Sequence, residues 1–352
     1  MDHQVQIYIT NLRKSGGVVN TAIVRAVGMG IVMSEDKQLL SENGGPITLT
    51  KTWAYSLLQR MNFVKRRGSC TAKTHIPDEK FDEIKTEFLN KIKTAVTEND
   101  IPPDLIYNWD HTGLHYVPVS NWTMEVQGSQ KIPIVGLDDK RQITAVFAGT
   151  LTGEFVPAQV IYKGTTSACH PAYDFPLAWH ITQSPNHWAN STTQMEYTAK
   201  ILMPHIRRTK KRLGLPDSQK ALCIFDVFRA QMGEDFINDL KQKGICIVFV
   251  PPSCTDRLQP MDLTVQKIVK DKLKDRFQKW YANQISKQLE NGNTDQTLTP
   301  VDLRLSFLKP LSAEWLVQVH ADIKSDKKLI YKGFEKSGIA EAVGYKFPSC
   351  EQ

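Results

Sequence analysis

The stretch ALCIFDVFRAQMGEDFINDLKQKGICIVFV, residues 221–250, sets the fold class. Ala221 to Phe225 and Ile245 to Val250 are continuous apolar runs, the pattern of parallel strands buried on both faces. Gln231 to Lys243 between them reads as a crossover helix. A strand, a helix and a second strand in so short a length imply neighbouring strands of an α/β sheet.

Working outward extends that sheet. Upstream, Glu196 to Leu213 reads as an amphipathic helix that stops at Gly214 and carries Arg207, Arg208, Lys210, Lys211 and Arg212. Residues 164–190, rich in Pro, His and Trp, read as loop. Ile143 to Ala148 and Phe155 to Tyr162 are β-rich runs joined through Thr150-Leu151-Thr152-Gly153, a hairpin signal. Leu105 to Trp109 is a short strand that ends just before Asp110. Downstream, a loop over Pro251–Pro260 precedes Asp262 and a long helix, Thr264 to Gln284. That helix carries Val265, Ile268, Val269, Leu273, Phe277 and Trp280 on one side. The order is strand, hairpin, helix, strand, helix, strand, helix. It fits an α/β fold with an RNase H-like mixed sheet flanked by helices, although periodicity alone also permits other α/β folds.

The amino-terminal part has a different character. Residues 5–14 and Ala22 to Val32 have helical patterns separated by Ser15-Gly16-Gly17, and Ser34 to Pro46 reads as a loop. Thr48 or Thr50 can cap a helix over Lys51–Met61 with Trp53, Leu57 and Leu58 on one face. A small all-α helix-turn-helix unit is expected here. A linking helix, Asp78 to Thr97, is ended by Ile101-Pro102-Pro103. The expected domains are a helix-turn-helix domain over 1–75, a linker helix over 76–103, the sheet domain over 104–285 and a helical extension over 286–352.

Composition narrows the function classes. Of 352 residues, 41% are hydrophobic and 23% charged, ordinary for a globular chain. No run is long enough to span a bilayer, and the start lacks the pattern of a secretory signal. The cysteines, Cys70, Cys169, Cys223, Cys246, Cys254 and Cys350, form no C-x-x-C pair, and a reduced intracellular compartment is the simplest reading. Zinc held by Cys169, His170, His180 and His187 is a weak alternative, because their spacing fits no standard site. The net charge is +7, and residues 1–75 hold ten Lys/Arg against four Asp/Glu. Such a local surplus is the electrostatic footprint of a nucleic-acid binder, and a solvated basic face has the same composition.

Three carboxylates stand where chemistry is expected. Asp110 and Asp226 follow apolar strands, and sites of open α/β sheets form at the carboxyl ends of strands. Asp262 opens the helix that follows. Any one of them alone is explained as a turn former or a helix cap. Together they suit a hard cation, Mg²⁺ or Mn²⁺. Two such ions, about 3.5–4 Å apart, activate an attacking oxygen and stabilise a leaving one.

Asn-Trp-Asp-His-Thr-Gly (108–113), Phe-Asp-Val-Phe-Arg-Ala-Gln (225–231) and Val-Pro-Pro-Ser-Cys-Thr-Asp-Arg-Leu-Gln-Pro-Met-Asp (250–262) resemble the three motif blocks of the pogo/Tigger/jerky DDE endonucleases. Residues 5–75 resemble the centromere-protein-B-type helix-turn-helix domain that precedes this nuclease, and 311–315 with 333–339 resemble its carboxy-terminal segment. The resemblance implies that Asp110, Asp226 and Asp262 are catalytic and hold two Mg²⁺ or Mn²⁺ ions. It implies a nuclear transposase-type endonuclease that cleaves and transfers DNA strands. Its partner would be double-stranded DNA at terminal inverted repeats, with a homodimer left open. A domesticated, non-cleaving nuclear DNA-binding protein is the alternative, and a hydrolase of RNA–DNA hybrids is a third reading that the basic helical unit disfavours. His111 departs from a position often acidic in the family, and Val227-Phe228-Arg229 from the more frequent sequence after the second aspartate. The family usually carries another helix-turn-helix module first, so a truncated chain and a chain with reduced DNA recognition both stay open. Candidate DNA contacts are Lys51, Thr52, Arg60, Lys65, Arg66 and Arg67 in the amino-terminal unit. Lys267, Lys270 and Lys274, with Lys272, Arg276 and Lys279, supply a basic face after Asp262.

Overall fold

A computed structural model describes residues 1–14, 19–64, 78–117, 142–226, 233–291 and 301–348. The chain divides into two compact units, Met1–Glu83 and Ile84–Gln352.

The first unit contains α1 (Asp2–Lys14), α2 (Thr21–Asp36) and α3 (Lys51–Arg60). Val5, Ile9, Val24, Ala54 and Leu57 form its core, and Val32, Leu40 and Leu49 form a smaller cluster beside it. Trp53 packs on both clusters, which ties the three helices together. Asn20 caps α2 by accepting from the Ile23 amide at 2.9 Å, and Thr50 caps α3 by accepting from Trp53 N at 3.0 Å. Thr50 is therefore the cap, not Thr48. The loop expected from Ser34 begins later. Helix α2 runs to Asp36, whose carboxylate accepts from Gln38 N and starts a 3₁₀ turn at Lys37–Leu39. Helix α4 (Asp78–Glu98) begins in this unit and continues into the second.

The second unit is built on a six-stranded sheet: β1 (Ile106–His115), β2 (Gln142–Thr150), β3 (Gln159–Lys163), β4 (His180–Ser184), β5 (Ala221–Asp226) and β6 (Ile245–Val250). The order is β4-β3-β2-β1-β5-β6. The pairs β1–β2 and β2–β3 are antiparallel, while β3–β4, β1–β5 and β5–β6 are parallel. This is the mixed, RNase H-like sheet expected from the sequence. The turn at Thr150–Gly153 is present, with Gly153 at φ +85 and its amide bonded to Thr150 O at 2.9 Å. Strand β3 nevertheless starts at Gln159, because Phe155 makes only an isolated bridge to Gly149. Strand β4 lies inside the segment expected to be loop. Its side chains are mostly polar or titratable, His180, Thr182, Gln183 and Ser184, so hydropathy does not mark it.

Helices cover both faces. One face carries α5 (Ser191–Tyr197), a π-helical turn (Thr198–Leu202), α6 (Met203–Leu213) and α7 (Glu234–Gln242). Trp109 meets Tyr197 and Phe236 there, with ring centroids 5.2 Å and 6.2 Å apart. The helical run starts at Ser191 rather than Glu196, because Asn190 and Thr193 form a capping box. After β6 the expected loop holds two short helices, α8 (Thr255–Leu258) and α9 (Pro260–Leu263), before α10 (Val265–Glu290). Then come α11 (Leu305–Ser325), α12 (Lys327–Lys336) and α13 (Ile339–Ala342). Residues beyond 286 thus contribute to the sheet unit. Trp315 packs on Phe277 and Trp280 of α10, and His320 on Phe155. Among the described residues, no helix is long and apolar enough to cross a membrane.

Candidate active site

The site is set by where a ladder stops. Strands β1 and β5 pair at Ile106–Leu222, Tyr107–Cys223 and Asn108–Ile224, and no further. Strand β1 continues against β2 as far as His115–Gln142. Asp110 is therefore inside β1, paired with Phe147, and not at the strand's end as the sequence suggested. The antiparallel partner extends the strand past its own apolar run. Asp226 is the last residue of β5 and pairs with Val250. Asp110 follows Asn108, and Asp226 follows Ile224, by two residues, so side-chain alternation gives the two aspartates the same face as that last paired rung.

The residues immediately before them point the other way. Trp109 and Phe225 stack in the opposite layer, with centroids 5.0 Å apart and planes 6° from parallel. Packing on that face thus holds both aspartates toward the other, where α9 lies.

Asp262 arrives on α9, whose first turn begins with Pro260. Two glycines let this short helix lie close to the sheet. A Cβ on Gly149 of β2 would meet Ile330 Cγ2 at 2.6 Å and Met261 Cε at 3.0 Å. A Cβ on Gly333 of α12 would lie 2.4 Å from Pro260 O. The fully buried Asn108 completes the seating, since its Oδ1 accepts from Met261 N at 2.9 Å and its Nδ2 donates to Ile224 O at 2.7 Å.

Asp110 and Asp262 lie near enough to shift each other's charge, and Asp226 acts on both electrostatically. Burial, then the neighbouring Asp262 charge, pushes the Asp110 carboxyl well above its usual range. Burial likewise raises Asp262, against the opposing pull of Asp110 as hydrogen-bond partner and of Lys270. The Asp110 carboxylate accepts from His111 N at 2.7 Å and from Gln266 Nε2. Gln259 is fully buried, and neither end of its amide has a hydrogen-bond partner of good geometry. Its amide still lies near enough to Asp110 to favour the charged form. Burial lowers the His111 imidazole to about 4, so it is neutral near pH 7.

Crowded carboxylates that repel one another, beside a buried amide short of partners, suit a divalent cation and its oxygen ligands. Among the described residues, no three His, Cys, Asp or Glu side chains already converge in coordination geometry. Asp110 and Asp262 are the apposed pair.

The other candidates divide. Lys51 and Thr52 are exposed in the first turn of α3, while Arg60 is held by Asp2 at 2.8 Å. Lys65, Arg66 and Arg67 lie outside the described residues. Lys267, Lys270 and Lys274 are exposed and spaced to share one face of α10. Lys272 and Arg276 are engaged instead with Asp322 of α11, both at 3.2 Å. The zinc alternative disperses: His170 bonds Gln183, His180 bonds Glu196 and His187 bonds Thr144. Sequence reasoning missed Asn108, Gln259 and Gln266 as parts of the site. An amide inside an otherwise apolar strand was the available signal for Asn108.

Comparison with known proteins follows this geometry. Over 341 residues the chain is 20% identical to a human "Pogo transposable element with KRAB domain", covering 97% of this chain and 51% of that protein. It is 22% identical over 183 residues to the mouse "Jerky protein", covering 51% of this chain and 31% of that one. The chain thus spans about half the length, or less, of these curated relatives. Among solved structures, the Mos1 strand transfer complex aligns with TM-score 0.45 and 11% identity, over 94% of this chain and 79% of that one. The Mos1 paired-end complex with Mg aligns with TM-score 0.45 and 10% identity, over 90% and 78%. The profile described as "DDE superfamily endonuclease" matches residues 140–322, just over half of the chain, and the chain belongs to that family.

Proposed function

We propose that this chain is a transposase-type DNA endonuclease, in which Asp110, Asp226 and Asp262 hold two Mg²⁺ or Mn²⁺ ions for phosphodiester cleavage and strand transfer. The observation that carries the reading is the apposition of Asp110 and Asp262, residues 152 positions apart, with Asp226 in electrostatic range. When bound, the ions would activate the attacking oxygen and stabilise the leaving one. The chain's own groups supply the frame. Three carboxylates offer the hard oxygen donors, and Gln266 steadies one Asp110 oxygen. Neutral His111 adds no positive charge beside the site near pH 7.

The substrate in this reading is double-stranded DNA at terminal inverted repeats, inside the nucleus, with a homodimer left open. Lys267, Lys270 and Lys274 extend from the site along α10 as a strip for phosphates. The basic first unit, with Lys51, Thr52 and the run Lys65-Arg66-Arg67, would serve as the helix-turn-helix DNA-binding domain.

The test compares the wild type with Asp226→Asn on inverted-repeat DNA in Mn²⁺. Nicking by the wild type that falls at least a hundredfold in the variant is expected. Equal residual cleavage by the two proteins removes the catalytic reading and leaves the non-cleaving DNA binder.

A further inference from the structure

We infer that Asn108 is the positioning residue of the acidic centre: one buried amide ties together the three backbone segments that carry the aspartates. It rests on the reading of that centre as a metal site.

The argument is one of connectivity. Asn108 lies two residues before Asp110 in β1 and, by strand alternation, on the same face. Its Nδ2 donates to the carbonyl of Ile224, two residues before Asp226, at 2.7 Å. Its Oδ1 accepts from the amide of Met261, the residue before Asp262, at 2.9 Å. Both ends of the amide are thus satisfied, and the side chain is 0% exposed. The bond to Ile224 sits at the last rung of the β1–β5 ladder, where backbone pairing ceases to fix the strands. The bond to Met261 satisfies a donor in the first turn of α9, and a helix of four residues has no internal bonds to spare for that amide. Met261 itself is fully buried, so its amide has no solvent alternative.

No isosteric replacement repeats this. Leucine matches the shape and leaves an acceptor and a donor buried without partners. Aspartate keeps the acceptor for Met261 but turns a second oxygen toward the Ile224 carbonyl. It also adds negative charge to a centre already crowded with it. Residues that orient ligands without touching the metal typically change its affinity by about 10–100-fold.

The experiment measures Mn²⁺ binding by the full chain, from the electron paramagnetic resonance of free Mn²⁺, for the wild type, Asn108→Ala and the charge-neutral, shape-matched Asn108→Leu. Leu308→Ala is the control, a buried change on α11, chosen over His320→Leu because the His320 ring reaches Phe147, the cross-strand partner of Asp110. Melting temperature is recorded for all. A Mn²⁺ dissociation constant raised at least tenfold in both Asn108 variants, with Leu308→Ala unchanged at comparable loss of melting temperature, is expected. Unchanged affinity in the Asn108 variants overturns the inference, and so does an equal loss in the control. Amide exchange in the wild type covers the case of variants that do not fold. The Met261 amide is expected among the protected amides, and exchange as fast as in open loops overturns the bridge. Failure of the wild type itself to bind Mn²⁺ would instead strike the metal reading, because Met261 protection reports the bridge without metal.

Discussion

Trp109 and Phe225 stack nearly parallel, 5.0 Å between centroids, in the layer behind Asp110 and Asp226. Each ring belongs to the residue just before an aspartate, so one contact in the core fixes the lateral relation of two carboxylates on the other face. Both rings are almost wholly buried. Trp109→Ala is expected to cost about 3–5 kcal/mol of stability by loss of burial and cavity formation. Phe225→Leu, nearer in volume, should cost less than half as much. Urea unfolding of the two variants gives the comparison, and equal small losses would mean the pair does not organise the sheet.

The close approach of α12 to α9 gives a second expectation. A methyl on Gly333 would sit 2.4 Å from Pro260 O and 2.9 Å from Thr264 Oγ1. Neither backbone can yield without moving Asp262, so Gly333→Ala should lose about 1–3 kcal/mol through overpacking. Helix propensity alone favours alanine by about 1 kcal/mol. A stabilised variant in thermal melting would show that the two helices are not pressed together.

His320 makes stability depend on pH. Its ring stacks on Phe155 at 4.4 Å and Trp179 at 4.8 Å, with Nε2 donating to Val156 O at 3.0 Å. Burial lowers its pKa from 6.5 to about 4, the bond to Val156 opposes that, and Lys324 adds to it. The unfolded chain therefore binds a proton that the folded chain refuses between those values. Stability from this group is full above pH 6.5 and declines as pH falls toward 4, by about 3 kcal/mol over the window. In the difference between wild type and His320→Leu, urea unfolding at pH 7.5, 6 and 5 should show the wild type losing more. Parallel pH profiles would refute the assignment.

The strip on α10 is tested by salt. Lys267, Lys270 and Lys274 changed together to Ala should reduce the slope of log affinity against log salt for duplex DNA by about 2.7, at about 0.9 per phosphate contact. An unchanged slope would return these lysines to the status of a solvated helix face.

How far the sequence could be read depends on what each segment buries. Strand β5 was legible because both of its faces are covered, which demands an unbroken apolar run; β6 was legible by its own apolar run, Ile245–Val250, although it is an edge strand and only part-buried. Strand β4 was not legible, because an edge strand of His, Thr, Gln and Ser leaves no such run. The position of Asp110 inside β1 was missed because the run Leu105–Trp109 ends where the parallel ladder ends, while the antiparallel one goes on. The three aspartates could be singled out by motif, and Asp110 and Asp226 also by standing at the ends of apolar runs. Asn108 stood out only as an amide in an apolar strand; its role was not legible, because it depends on two partners, Ile224 and Met261, that are distant in the chain.

The central claim is that Asp110, Asp226 and Asp262 together hold divalent cations, and a calorimetric Mn²⁺ titration of the full chain tests it most directly. The wild type should bind close to two ions, and Asp110→Asn should lose at least one of them or weaken both at least tenfold. Superimposable isotherms for the two proteins would contradict it.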